Sequence, residues 1–414
     1  MMKALNNNAN PLESLLQQHC PNGVEFRELG KLGEFSNTGV DKKKNEKEKE
    51  VILLNFVDVM KNHYIDEKIP TMIVTASDNK IKQCTCEKGD IFITPSSETI
   101  DEIGFASVIT KTLSNTCYSY HIMRYRLFEK QITTSFFIRY LFESEIIRQQ
   151  IRKYATGLTR FGLKKTKWEQ IKIPLPPLEI QQKIVEILDA FTELQAELQA
   201  ELQARRKQYE YYRNKLLSFE ELQRRTDMLN GGGLKLVTLG EVCETLPKGT
   251  LKTSQLTANG YPVINSGRDL YGYYSKFNNE SNAFTIAARG EYAGFVNFMD
   301  SKFWAGGLCY PYRSNDENKL LTKFIYYHLK TNESNIMDSL VARGSIPAIN
   351  KKDIDKKLKI PLPPLEVQNE IVEILDKFDT LANDLSAGLP AEIEARKKQY
   401  EYYRERLLSF IAKD

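Results

Sequence analysis

A stretch of twenty residues occurs twice in this chain, and the duplication constrains the fold more than any other feature. Lys172–Phe191 (KIPLPPLEIQQKIVEILDAF) returns 187 positions later as Lys359–Phe378 (KIPLPPLEVQNEIVEILDKF), with 16 of 20 residues identical. A second block behaves in the same way, because Arg205–Phe219 returns as Arg396–Phe410. With only two copies, the pattern predicts one duplicated unit rather than a solenoid.

Each copy predicts a long amphipathic helix. The prolines of Ile-Pro-Leu-Pro-Pro impose an extended entry, because proline fixes φ and disfavours a helical residue before it. Apolar residues then recur at steps of three and four, which is typical of a helix with a coiled-coil seam. In the first copy the stripe is unbroken from Leu178 to Phe219, whereas Gly388 and Pro390 predict a break between two helices in the second copy.

The apolar and aromatic members of these stripes are predicted to make contacts between helices or with a partner subunit. A tyrosine-rich stripe such as KQYEYYR is more often helix packing than a ligand site. The predicted contact residues are Leu188, Phe191, Leu198, Tyr209, Tyr212, Leu375, Phe378, Tyr400 and Tyr403.

The repeats divide the chain into five predicted parts. These are a leader over 1–25, a globular domain over 26–172, a helix and linker over 173–230, a second globular domain over 231–359 and a distal helix over 360–414. Short apolar runs bounded by glycine-containing turns predict that both globular domains mix strands with helices.

Some local predictions are more specific. A short helix is expected over Pro11–His19, a buried strand over Val51–Met60 and a single helix over Phe136–Lys153. The two globular segments fall into the 187-residue register only from Ala155 and Ala342 onward.

Positive charge is concentrated on the globular segments. Lys and Arg outnumber Asp and Glu by 25 to 19 over 26–172, and by 17 to 12 over 231–359. The helical segments are acidic instead, with 8 basic against 10 acidic residues over 173–230 and 7 against 11 over 360–414. This distribution favours a polyanionic partner for the globular domains.

Basic side chains beside glycine-containing turns are the predicted contacts with nucleic acid, because glycine permits close approach to phosphates. Arginine is favoured as the reader of bases, since its fork can bond two acceptors of one guanine. On that ground Arg160, Arg268 and Arg289 are the predicted base readers. The full predicted set is Arg160, Lys164, Lys165, Arg268, Lys276, Arg289, Arg343, Lys351 and Lys352.

Signatures of catalysis were sought in the sequence. It contains no P-loop, no dinucleotide-binding glycine motif after a strand, no H-E-x-x-H and no G-x-S-x-G. The repeated Leu-Pro-Pro-Leu lacks the polar first residue and the aromatic last residue of the amino-methyltransferase motif. No catalytic residue and no metal ligand is therefore assigned.

The cysteines leave one alternative open. Cys84, Cys86, Cys117 and His121 could form a tetrahedral zinc site, but the spacing favours buried thiols. The six cysteines are sparse, and no apolar run has the length of a membrane span or the character of a signal peptide. A cytoplasmic location is expected.

Three motifs together resemble a known family. PNGVEFRELG, the paired IPLPPLE-x-Q…EILD-x-F and the paired KQYEYYR-x-x-LLSF are similar to the specificity subunit of type I restriction-modification systems, over the whole chain. The resemblance implies an α+β fold in which two globular α/β target recognition domains are separated by two long antiparallel coiled-coil helices, with pseudo-two-fold internal duplication. Each domain is then expected to read one half of a bipartite, asymmetric DNA site.

The resemblance also implies the partners. The chain is expected to have no catalysis of its own and no bound cofactor, and to associate with two modification subunits that use S-adenosylmethionine to methylate adenine. Restriction subunits that use ATP and Mg are expected to join this complex, and no membrane is involved.

Two other classes of function are less consistent with the sequence. A single-chain DNA methyltransferase or nuclease with an unrecognised catalytic part is disfavoured, because little room remains for a catalytic domain between the repeats. A purely structural coiled-coil scaffold does not explain why basic charge lies on the globular segments.

Overall fold

The computed structural model describes residues 20–230, 232–384 and 386–412. The predicted leader helix Pro11–His19 lies outside them, as does Gly231 of the glycine linker. The described chain forms two compact units: one combines Met1–Glu197 with Glu394–Asp414, and the other is Leu198–Ile393. They are called unit 1 and unit 2 below. Within the described residues, no helix is long and apolar enough to cross a membrane.

Unit 1 contains two mixed sheets with short helices around them. The five-stranded sheet has the order Gly33–Ser36, Met123–Leu127, Ile91–Ile93, Ala106–Ile109, Tyr64–Ile65. The four-stranded sheet has the order Met72–Ala76, Lys49–Leu54, Leu113–Tyr118, Thr85–Cys86. Smaller pairs join Glu25–Glu28 to Lys172–Leu175 and Ser96–Ser97 to Phe161–Gly162. The helices are Leu29–Leu32, Phe56–Lys61, Asp78–Gln83, Ser135–Glu143, Glu145–Tyr154 and Lys165–Glu169, with a 3₁₀ turn at Ile100–Glu102.

Unit 2 has a four-stranded antiparallel sheet and a smaller three-stranded sheet. The first has the order Cys243–Thr245, Cys309–Ser314, Ala283–Ala287, Val296–Met299, and the second Gly272–Tyr274, Tyr261–Ile264, Trp304–Ala305. Two further pairs join Lys235–Thr238 to Lys359–Leu362 and Val341–Ala342 to Ala348–Ile349. The helices are Phe219–Asn230, Leu239–Val242, Thr322–Thr331, Glu333–Leu340, Lys351–Lys357 and Leu365–Asn383, with a 3₁₀ turn at Thr253–Gln255.

The duplicated blocks form the long helices that the sequence predicts. The first repeat helix, Leu178–Leu216, is continuous over 39 residues, or about 58 Å at ~1.5 Å per residue. The second copy is divided into a second repeat helix, Leu365–Asn383, and a C-terminal helix, Gly388–Leu408. The predicted break is therefore confirmed, and Gly388 adopts a positive φ of 73° at the start of the C-terminal helix.

Each unit buries one portion of these helices in its core. In unit 1 the apolar core includes Ile184 and Leu188 of the first repeat helix together with Leu407 and Leu408 of the C-terminal helix. The core of unit 2 combines Tyr209 and Leu216 with residues of the second repeat helix, among them Ile371 and Leu375. The predicted α+β architecture, with duplicated mixed domains and long repeat helices, is confirmed.

Two local predictions are wrong. The strand expected over Val51–Met60 ends at Leu54, because the side chain of Asn55 accepts hydrogen bonds from the next turn and caps the helix Phe56–Lys61. The single helix expected over Phe136–Lys153 is two helices, since Ser144 takes an extended conformation between them.

Candidate nucleic-acid interface

A buried glutamine anchors each globular domain to its repeat helix. In unit 1 the Oε1 of Gln181 accepts hydrogen bonds from the Thr134 backbone N–H (3.1 Å) and the Thr133 hydroxyl (3.0 Å). Its Nε2 donates to the backbone carbonyls of Ile132 (3.0 Å) and Pro176 (2.8 Å). The amide thus fixes the start of the helix Ser135–Glu143 relative to the helix that follows Pro-Pro.

The same contacts recur in unit 2, 187 positions later. Gln368 accepts from the Leu321 N–H (2.9 Å) and donates to the carbonyls of Lys319 (2.9 Å) and Pro363 (2.8 Å). Both glutamines are fully buried. Two globular domains with different sheets are therefore attached to the repeats by one shared arrangement.

An aspartate of the repeated EILD motif makes a second shared contact. The Tyr140 hydroxyl donates to Asp189 at 2.6 Å, and the equivalent Tyr327 hydroxyl donates to Asp376 at 2.5 Å. Burial, and then the hydrogen bond to the carboxylate, raise the pKa of both tyrosines well above the usual value. Each tyrosine therefore remains a neutral donor, as the anchoring of a domain requires.

In unit 1, the predicted base reader Arg160 lies in a short hairpin. The backbones of Thr156 and Gly162 exchange two hydrogen bonds of 3.0 Å, and Gly157 has a φ of 144°. A Cβ on Gly157 would stand 2.0 Å from the Arg160 carbonyl oxygen, so this turn requires glycine. Arg160 itself is exposed, and its Nε donates to the Ser96 hydroxyl at 3.2 Å.

The predicted lysines of unit 1 follow this hairpin. Lys164 is exposed and precedes the helix Lys165–Glu169, while the Lys165 ammonium is 3.8 Å from Glu169. Lys165 lines a cleft of about 500 Å³ together with Tyr120 and Lys80.

A second cleft in unit 1 contains Arg160. Its volume is about 370 Å³, and His121 is also part of its lining. The rings of Tyr120 and His121 are in contact at a tilt, with centroids 4.0 Å apart, and each lines one of the two clefts, so the clefts adjoin at this pair. The structure thereby brings Arg160 and Lys165 to neighbouring clefts. Sequence reasoning assigned no role to Lys80 or Tyr120, which no motif marks.

In unit 2, the three predicted arginines lie on segments that come close in the chain or pair with one another. The Arg268 guanidinium lies 5.0 Å from the ring centroid of Tyr292, which follows Arg289 by three positions. The backbone of Arg289 pairs with Ala348, in the second hairpin Val341–Ile349. That hairpin also contains Arg343, whose Nη2 is 2.5 Å from Asp338 Oδ1.

The predicted lysines of unit 2 divide into exposed and engaged side chains. Lys276 and Lys352 are exposed. Lys351 is half-buried, and its Nζ lies 2.5 Å from Asp355, which also accepts a 2.8 Å hydrogen bond from Tyr312. Lys351 therefore contributes an ion pair inside unit 2.

The predicted helix contacts of unit 1 lie in its core or at its edge. Leu188 is fully buried, and Phe191 stacks on Tyr403 with centroids 5.6 Å apart. Phe191 also contacts Tyr400 (6.4 Å), whose hydroxyl donates to Glu143 at 2.8 Å. These residues join the first repeat helix to the C-terminal helix.

The corresponding residues of unit 2 join the first and second repeat helices. Leu375 is fully buried, Leu198 is half-buried, and Phe378 packs against Tyr209 (6.5 Å) and Tyr212 (5.5 Å). Further along, the Arg206 guanidinium donates to the Ala382 carbonyl, so the two helices run antiparallel in this unit.

Five of the six cysteines are buried, and Cys20 is half-buried. Cys84, Cys86 and Cys117 are buried free thiols, and burial raises the pKa of Cys117 to about 11. No group of three or more histidine, cysteine or acidic side chains is placed to hold a metal ion within the described ranges. The interpretation as buried thiols fits this arrangement.

The 187-residue register begins earlier in the chain than the sequence analysis predicts. Tyr140 and Tyr327 lie 187 positions apart and upstream of Ala155 and Ala342. The same spacing relates Tyr125 to Tyr312, so the register extends well before Ala155 and Ala342. The sequence contained a short indication of this in FFIRY and KFIYY.

A family model described as the type I restriction modification DNA specificity domain matches the chain twice, over residues 21–205 and 232–395. This chain belongs to that family. A specificity subunit of a type I restriction enzyme of Haemophilus influenzae is 35% identical over 268 residues, which covers 62% of this chain and 68% of that protein. A specificity subunit of a type I restriction enzyme of Escherichia coli is 36% identical over 276 residues, covering 59% of this chain and 64% of that protein.

The fold of the specificity subunit is also found among solved structures. The crystal structure of a type I S subunit from M. genitalium has a TM-score of 0.59 at 19% identity, covering 99% of this chain and 98% of that one. A chain from a structural study of type I complex assembly has a TM-score of 0.56 at 19% identity, covering 94% and 98%. At such identities the likeness concerns the fold alone. Family membership assigns the chain to the specificity subunits, with two DNA-recognition domains, rather than to the catalytic ones.

Proposed function

We propose that this specificity subunit reads a bipartite, asymmetric site on duplex DNA, with one half read by each unit. One observation carries the proposal. The chain contains two family domains whose anchoring contacts are shared, whereas their sheets and basic side chains differ. Identical attachment supports the same task in both units, and different recognition surfaces support two different half-sites.

The complex around this subunit is part of the proposal. Two modification subunits bind the chain and methylate adenine with S-adenosylmethionine, and restriction subunits supply cleavage that depends on ATP and Mg. The chain itself holds no cofactor and works in the cytoplasm. Two partner copies follow naturally from two copies of the repeat, because equivalent surfaces accept equivalent partners.

The experiment is a map of methylated adenines. The chain is produced with its modification subunits in cells that lack other methyltransferases, and genomic DNA is sequenced for modified bases. We expect one motif with two defined parts and a spacer of unspecified sequence. The matched control omits this chain, and no motif should then be methylated.

Two results would contradict the proposal. Methylation or cleavage by the purified chain without partners would favour the alternative of a single-chain enzyme. A complex that methylates without any preferred motif would show that the chain does not read sequence.

A further inference from the structure

The three-stranded sheet of unit 2 presents an exposed apolar surface that the anchoring contacts do not use. Its first two strands, Tyr261–Ile264 and Gly272–Tyr274, and the loop between them are called the tyrosine ribbon below. Leu270 is 45% exposed, Tyr271 44% and Tyr273 40%. Large apolar side chains that are adjacent and exposed usually mark a contact surface.

Strand geometry explains why the two tyrosines face outward, whereas Leu270 lies in the loop before the strand Gly272–Tyr274. Successive residues of a strand point to opposite faces. Tyr274 points inward, where its ring meets the edge of Trp304 at 5.1 Å, and Tyr271 and Tyr273 therefore lie on the other face. The Tyr271 N–H donates to the Val263 carbonyl at 2.7 Å, and its hydroxyl is 3.0 Å from Thr253 Oγ1. These two hydrogen bonds fix the position of Tyr271 on the outward face.

The chain segment that contains the ribbon is basic. From position 246 to 279 the chain contains four cations against one carboxylate, Asp269. The cations are Lys248, Lys252, Arg268 and Lys276, and all four are exposed. An apolar centre within a basic rim fits DNA, because the phosphates meet the cations while the centre faces the bases.

The dimensions and chemistry of the DNA grooves indicate which part of the duplex the ribbon would contact. The major groove is about 12 Å wide and admits a two-stranded ribbon, and the thymine methyl is the apolar group that base edges present there. We propose that the tyrosine ribbon enters the major groove of the half-site read by unit 2, and that Leu270 and Tyr271 contact the methyl group of a thymine. This inference rests on the proposed function and assigns at least one A·T pair to that half-site.

The test replaces thymine by deoxyuridine, which removes the methyl group and leaves base pairing intact. The subunit is studied in complex with its modification subunits, and each thymine of both half-sites is replaced in turn. At one or two thymines of a single half-site we expect binding to weaken roughly fivefold, the worth of one buried methyl group. Deoxyuridine in the other half-site is the control on the DNA.

A variant links the effect to the ribbon. Leu270→Ala should lose about the same factor on the thymine duplex and should then be insensitive to deoxyuridine at that position. Leu236→Ala is the matched control, because Leu236 is 50% exposed in the same unit but lies on the strand Lys235–Thr238. It should retain the full response to deoxyuridine.

The possible outcomes separate the two proposals. If the complex binds no duplex sequence preferentially, the proposed function fails. If sequence preference is intact but no deoxyuridine weakens binding, or if Leu270→Ala responds like the wild type, the methyl contact is wrong. If Leu270→Ala instead releases a modification subunit while the deoxyuridine response persists, the ribbon is a protein-docking surface and the inference is overturned.

Discussion

The two units attach their domains in the same way and differ in what the domains present. Gln181 and Gln368 make matching hydrogen bonds, as do the tyrosine–aspartate pairs on the EILD motifs. Unit 1 presents a hairpin with Arg160 beside two clefts, whereas unit 2 presents the tyrosine ribbon in addition to its own hairpin. The comparison indicates that attachment tolerates little change, because it is buried and fully hydrogen-bonded, while the exposed recognition surface is free to diverge.

The largest effect is expected from removing either glutamine. Gln181→Leu and Gln368→Leu each leave buried backbone groups without partners, which should lower the free energy of unfolding of the affected unit by about 2–4 kcal/mol. Each unit contains one tryptophan, Trp168 or Trp304, so Trp304→Phe and Trp168→Phe backgrounds report unit 1 and unit 2 separately in urea titrations.

The neighbouring exposed residues provide controls for this experiment. Gln182→Leu and Asn369→Leu change the same helix turns without breaking the buried contacts, and they should be nearly neutral. If one glutamine variant destabilised its unit and the other did not, the equivalence of the two attachments would be refuted.

The predicted base readers test whether the two surfaces are independent. Arg160→Ala and Arg268→Ala should each cost about 1–3 kcal/mol of binding and relax specificity at one position, in different half-sites. Binding titrations against single-base variants of the site measure this. Arg160→Lys and Arg268→Lys keep the charge without the fork, and they should lose specificity while keeping most nonspecific affinity. Equal weakening on every duplex would identify the arginine as a phosphate contact.

His328 should make the stability of unit 2 sensitive to acid. The equivalent residue of unit 1 cannot have this effect, because it is a leucine. Burial lowers the pKa of His328 to about 4, and unit 1 has the fully buried Leu141 at the equivalent place. The unfolded chain takes up a proton near pH 6.5, above the folded value, so the contribution is complete above pH 6.5 and is lost as pH falls toward 4.

The corresponding variant is His328→Leu. We expect the wild-type unit 2 to lose about 2–3 kcal/mol of unfolding free energy between these pH values on account of His328, and the variant to lose less. Urea titrations at both pH values in the Trp168→Phe background measure it. An unchanged pH dependence would show that His328 does not cause it.

The smallest effect concerns lysines that meet phosphate. Lys164→Ala and Lys352→Ala should weaken all duplexes alike and reduce the slope of log affinity against log salt by about one each. Lys352 is the suitable residue in unit 2, because Lys351 is held by Asp355 and its loss would also affect stability. A loss confined to one DNA sequence would mean that the lysine contacts a base.

The sequence predicts the parts of this fold that repeat, and it predicts least where structure depends on a single polar residue. The repeat helices and the break before Gly388 follow from apolar spacing and from glycine and proline. By contrast, Asn55 begins a helix inside an apolar run that looks like one strand, and Ser144 divides a continuous helical pattern. In both places a local backbone choice overrides hydrophobic periodicity.

The candidate site is predictable only in outline. The surplus of basic residues and the glycine turns direct attention to Arg160 and Arg268, and both side chains are exposed in the structure. The clefts around Tyr120 and the outward face of Tyr271 could not be predicted, because they depend on which distant strands become neighbours. The pairing of Val263 with Trp304 is an example, since 41 residues separate them.

Unit 1 is built from two separate stretches of the chain, and this has a consequence for folding during synthesis on the ribosome. Its core is completed by residues after Glu394, as the bond between the Tyr400 hydroxyl and Glu143 illustrates across 257 positions. Unit 2 is contiguous in the chain and can close earlier, whereas residues up to 197 of unit 1 must wait for the residues after 394, with Ile184 and Leu188 uncovered until then. Such delayed closure is slow and exposes apolar surface, so the N-terminal portion is the one expected to need chaperone protection during translation.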